Sequence, residues 1–155
     1  MGMIDVPVSS VASDAVPQLS PEDTTVAAAT ELRRPAVEAV LVCDQRGAVV
    51  GIVTESDIVA VVAERGGERP VESIMSAPVV SVKPSIPIGL AADRMRAAGI
   101  ARLPVVAADE TVVGLVTREA LAPYLSRHRL EIEWKREPLS LDASDRERSD
   151  AAATE

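Results

Sequence analysis

The sequence predicts a mixed α/β fold of the α+β kind, built from two βαββα repeats packed about a pseudo-twofold axis. Two observations carry this. The stretch Gly51-Ile52-Val53-Thr54-Glu55-Ser56-Asp57 returns 63 residues later as Gly114-Leu115-Val116-Thr117-Arg118-Glu119-Ala120, and the register holds without a gap. Residues 7–62 set against 70–125 share 15 identities over 56 positions, with Pro, Gly, Ser and Thr kept in place as well as Val and Ala. Within each copy, short valine-rich runs of strand character flank one alanine-rich stretch of helical character. Copies this small, with so few large side chains, bury too little to fold alone, so the halves are expected to pack sheet against sheet.

Residues 1–6 are a lead-in, 7–66 the first repeat, 67–126 the second and 127–155 a tail. Pro7 to Ser13 predicts a helical turn feeding an extended run, Ala15 to Leu19, which stops at Ser20-Pro21-Glu22-Asp23. Ser20 or Asp23 is the expected cap of a helix from Val26 to Arg34, which Pro35 ends. Val37 to Cys43 and Ala48 to Val53 form a hairpin about Asp44-Gln45-Arg46-Gly47, where Gly supplies the freedom a tight reversal needs. Thr54 opens a second helix that ends near Arg65-Gly66-Gly67. The second copy repeats the plan. It has a strand from Val79 to Val82, a helix from Ile88 to Ala98 closed by Gly99, strands Leu103 to Ala107 and Val112 to Val116 about Ala108-Asp109-Glu110-Thr111, and a helix from Thr117 to Ser126. Beyond Arg127 the periodicity is lost. Leu130, Ile132 and Trp134 alternate with polar residues before Pro138, and Ser140 to Glu155 is polar enough to be expected mostly disordered. Ile58, Val61, Val62, Leu121 and Leu125 make the second helices more apolar than one half can cover, so a homodimer is expected.

Composition excludes several functions. With no Phe, one Tyr and one Trp, the 155 residues offer no aromatic platform for single-stranded nucleic acid, and a net charge of −8 repels any phosphate backbone. Nucleic acid is therefore not an expected partner. No apolar run approaches the roughly 20 residues of a membrane span, and the first residues lack the pattern of a signal peptide. Cys43 stands alone inside a valine strand and reads as a small buried apolar residue, so the expected location is the cytoplasm. The repeat holds no Cys/His or Ser/His pair, no metal-ligand spacing and no Gly-Lys-Ser/Thr phosphate loop. Neither an enzyme nor a tightly bound cofactor is expected. His128, solitary in Arg127-His128-Arg129, reads as solvent-exposed.

The chemistry that is present lies at the two strand-to-helix junctions. Each places a threonine hydroxyl and free backbone N–H groups together, an arrangement that suits polar or anionic ligands. The first junction adds Asp57, where the second has Ala120. Thr54-x-x-Asp57 also fits a capping box, in which both side chains satisfy helix N–H groups, and the spacing leaves both roles open.

These residues resemble the cystathionine-beta-synthase (CBS) domain family, and two tandem copies resemble its CBS pair, or Bateman module. The resemblance runs from Pro7 to Leu125. It rests on Gly51 to Asp57, on Leu103-Pro104-Val105-Val106, on Ser76-Ala77-Pro78-Val79-Val80-Ser81-Val82 and on the repeat period. It implies a stand-alone regulatory module that binds an adenosine compound, such as AMP, ADP, ATP or S-adenosylmethionine, between the halves and signals to an as yet unknown protein. It further implies that Thr54 faces a phosphate, that Asp57 accepts from ribose hydroxyls, and that the base lies on Ile52 beside Val79, Val80, Ile100 and Ala101. Arg102 would either reach a phosphate or form a surface ion pair. A second, degenerate site would hold Thr117, Ala39 and Val16. The alternative is a ligand-free module for dimerisation or partner docking.

Overall fold

The computed structural model describes residues 5–125. A 3-10 turn at Val8–Ser10 leads to strand β1 (Gln18–Leu19), helix α1 (Thr25–Leu32), strands β2 (Val40–Cys43) and β3 (Val49–Val53) and helix α2 (Glu55–Ala63). The second copy follows with a 3-10 turn at Val71–Ser73, helix α3 (Ile88–Ala98), strands β4 (Arg102–Val106) and β5 (Val112–Thr117) and helical residues 118–125, here α4. β1 lies parallel to β2, β2 pairs antiparallel with β3, and β4 pairs antiparallel with β5. The duplication extends to irregularities, because both hairpins break register at equivalent places, between Val42 and Cys43 and between Val105 and Val106.

The halves are joined by exchanged arms. The N–H groups of Val8 and Ser9 donate to the carbonyls of Ile86 (2.8 Å) and Pro84 (3.1 Å), and that of Ile88 donates to Val6 (2.9 Å). Sixty-three residues on, Val71 and Glu72 donate to Asp23 (2.7 Å) and Pro21 (3.2 Å), while Thr25 donates to Arg69 (2.8 Å). Val8 is consequently a fully buried member of the second core, with Ile88, Leu103, Val105, Val116 and Leu121. Val71 enters the first core, with Leu32, Val40, Val42 and Val53. The sequence repeat and the unit of packing are thus offset, since each core is completed by the opening segment of the other copy.

Several local expectations change. The cap of α1 is Thr24, whose hydroxyl accepts from Ala27 N–H at 3.3 Å, while Asp23 turns back to accept from Ser20 N–H at 2.8 Å. The strand expected from Val79 to Val82 reduces to one parallel bridge, in which Val82 donates to Pro104 and accepts from Val106. Leu121 is fully buried and Val61 is 8% exposed, so both belong to the interior rather than to an outward face. The most exposed valines among the described residues are Val26, Val59 and Val62, at 56%, 65% and 73% exposure. The tail beyond residue 125, with His128 and Trp134, lies outside the described residues.

One hairpin tip carries strain that its counterpart avoids. Gly47 has φ +86°, and the equivalent Glu110 is held at φ +69°, a left-handed conformation that disfavours a side chain. Glu110→Gly should therefore raise stability by roughly 0.5–1 kcal/mol, read as a higher denaturant midpoint with an unchanged slope.

Candidate functional site

β3 delivers Thr54 in extended conformation to the start of α2, with Asp57 in the first turn. Asp57 Oδ2 accepts from Thr54 N–H at 2.8 Å and from its hydroxyl at 3.3 Å, and Thr54 Oγ1 lies 2.9 Å from Ser56 Oγ. Helix capping thus occupies one carboxylate oxygen, and Oδ1 stands outside these bonds. Asp57 is half-buried.

The exchanged arm crosses just before this junction. Ile52 and Ser76 trade N–H···O bonds of 3.1 and 2.9 Å, and at Gly51 a Cβ would run into the Met75 side chain. The arrangement returns at the second junction, where Ser13 and Leu115 trade bonds of 2.8 Å each, and a Cβ on Gly114 would lie 2.5 Å from the Ser13 carbonyl oxygen. The motif glycines therefore owe their place to a neighbouring backbone or side chain that leaves no room for a methyl.

At the second junction Thr117, only 8% exposed, accepts from Ala120 N–H at 3.2 Å. It opens into a cavity of about 360 Å³ that both repeats build, lined by Val11, Ser13, Ala15, Ala36 and Glu38 from the first and Leu115, Thr117, Glu119 and Ala120 from the second. Of the residues expected at this second site, Thr117 lines the cavity. Ala39 is fully buried, and Ala15 takes the lining position beside half-buried Val16. Ser13, Ala36, Glu38 and Glu119 were absent from the sequence expectation. Applying the 63-residue offset to the first junction would have found Ser13, the image of Ser76, and Glu119, the image of Ser56.

The other expected residues lie on separate segments. Val79 and half-exposed Val80 follow Ser76 by three and four residues. Ile100 packs on the second core, and the Ala101 carbonyl accepts from Arg118 N–H at 2.8 Å. Arg102 turns to the first repeat, its Nε 3.9 Å from Glu38 Oε2 and without a hydrogen-bond partner. Cys43 is a quiet core residue. Its Sγ reaches Gln18 Oε1 at 3.6 Å, and burial, with Asp44 nearby, pushes the thiol up from its ordinary pKa. No helix among the described residues is long and apolar enough to cross a membrane, and no group of three or more His, Cys, Asp or Glu among them is placed to hold a metal.

Two exchanged βαββα units, each with a glycine-threonine junction, match a known family. The CBS domain model fits residues 8–64 and again 71–127. The chain belongs to the CBS domain family. An uncharacterized protein of Methanopyrus kandleri is 33% identical over 129 residues, which is 79% of this chain and 66% of that protein. Among solved structures, a CBS domain pair in complex with 5′-methylthioadenosine and S-adenosyl-L-methionine superposes with a TM-score of 0.69 at 25% identity, covering 79% of this chain and 98% of its own. A CBS domain protein from Pyrobaculum aerophilum complexed with AMP gives 0.68 at 26% identity, over 75% and 90% of the two chains. The CBS pair described here is thus of the same architecture as proteins solved with adenosine compounds.

Proposed function

We propose that this CBS pair is a regulatory module that binds an adenosine-containing ligand, AMP or S-adenosylmethionine among the candidates, at the junction of Thr54 and Asp57, and transmits binding to a partner protein. The observation that carries the reading is the inter-repeat cavity of about 360 Å³ at Thr117, within the size range of small-molecule sites. The 63-residue offset carries its lining onto Ile52, Thr54, Ser56, Asp57, Ser76 and Ala101, and this image adds the carboxylate that the Ala120 side lacks. Asp57 Oδ1 lies outside the capping bonds and would accept from ribose hydroxyls, so capping and binding would not compete for the same oxygen. The bound ligands of the two solved CBS pairs support the same class.

A thermal-shift and calorimetric series with AMP, ADP, ATP, S-adenosylmethionine and NAD tests this. A ligand held only by the native state, at a hundred times its Kd, adds about 2.7 kcal/mol of stability. Absence of any shift or heat across the series would leave the ligand-free assembly module as the better reading.

Two copies are further proposed to join through the first repeat. Val26, Ile58 and Val62 line a groove of about 460 Å³ between α1 and α2, and Val59 and Val62 project beyond it. Val59→Glu with Val62→Glu should convert a dimeric mass by light scattering to a monomeric one at micromolar concentration, with the circular dichroism unchanged, because both side chains are already exposed.

A further inference from the structure

The two junctions differ in charge as well as in the acid at Asp57. At the first, Thr54 and Ser56 present a pair of hydroxyls 2.9 Å apart, and the 63-residue offset makes Ala101 the counterpart of Glu38. At the second, the images of Ser56 and Ala101 are Glu119 and Glu38, and both carboxylates line the cavity beside Thr117. Two cations stand near. Arg102 approaches Glu38 only to 3.9 Å, with both side chains substantially exposed, so it offsets that charge weakly. Arg118 adjoins Glu119 in sequence but lines a groove on the other side of α4, with Met95 and Leu121.

Resting on the reading that the junctions take adenosine compounds, we propose that the Ala120 cavity is selective by charge. It takes a purine nucleoside whose 5′ substituent is neutral or cationic and rejects 5′-phosphates, whereas the Asp57 junction accepts phosphates. The physical reason is placement, because Glu119 occupies the position beside the threonine hydroxyl where the first junction has Ser56. A phosphate dianion there meets two carboxylates at one partly enclosed cavity, while an ammonium gains from both, each term moderated by solvent because both side chains are exposed. The chain would then read two chemically distinct nucleosides at once.

The test uses the full chain with three probes that differ only at the 5′ position: AMP, adenosine and 5′-amino-5′-deoxyadenosine. Calorimetry on Asp57→Ala, which weakens the first junction, should show the aminonucleoside binding at least about tenfold tighter than AMP, with adenosine between them. Wild type saturated with AMP presents the same cavity and should give the same order without any substitution. Glu38→Gln with Glu119→Gln removes both charges from half-exposed or exposed side chains and should collapse the preference to within about threefold. AMP binding the cavity as tightly as the aminonucleoside, or no probe binding Asp57→Ala while wild type binds AMP, would overturn the inference and leave the proposed function standing. A wild type silent to all three probes would instead overturn the adenosine reading itself.

Discussion

Asp57→Ala should weaken AMP binding about ten- to a hundredfold while leaving the CBS pair folded. The proposed ligand role and the helix cap respond differently to the loss of the carboxylate. In the proposed role it would supply ribose with a charge-assisted hydrogen bond worth roughly 1.5–3 kcal/mol. As the first-turn acceptor for Thr54 N–H it contributes only about 1 kcal/mol to the helix start, because that half-buried N–H can turn to water instead. The check is a pair of measurements on one variant, a calorimetric Kd for AMP and a melting temperature. A binding loss with a melting temperature lowered by only a few degrees supports the ligand role. Unchanged affinity would show that Asp57 is a helix cap and nothing more. Asp57→Asn separates the terms further, since the amide oxygen can still cap while the charge toward ribose is gone.

Gly114→Ala should be strongly destabilising, costing about 3 kcal/mol and lowering Tm by roughly 10 °C. The added Cβ would stand 2.5 Å from the Ser13 carbonyl oxygen and 3.3 Å from the Ala12 Cβ, both on the exchanged arm. That carbonyl is fixed by its bond to Leu115 N–H at 2.8 Å, so relief requires the arm to leave β5 and to draw Val8 out of the second core. Gly51→Ala is the informative partner. The three atoms nearest its Cβ all belong to the Met75 side chain, whose outer atoms can rotate away, so the cost should be nearer 1 kcal/mol. Comparable losses at both glycines would mean that the first arm tolerates displacement and that the halves are held together elsewhere.

The sequence by itself determined the duplication, the order of most elements and the two junctions, because each is written in local chemistry; the strand expected from Val79 to Val82 is the exception. Valine runs, an alanine-rich helix closed by Gly99 and a threonine before each final helix need no partner to be legible. The spacing left capping and ligand binding both open at Thr54 and Asp57, and the structure shows the Asp57 carboxylate capping Thr54 N–H. What only the tertiary structure decided depends on contacts far apart in the chain. That Val8 and Val71 belong to each other's cores could not be read from periodicity, since an arm leaves the same apolar pattern whichever sheet receives it. Leu121 and Val59 each follow the strand-to-helix junction of their own repeat, yet one is sealed inside and the other bare, because burial depends on what packs above the helix. Glu38 and Glu119 read in the chain as ordinary surface acids. They meet in one cavity only because the first repeat lays its approach to β2 against the start of α4, which brings residues 81 positions apart to a common wall.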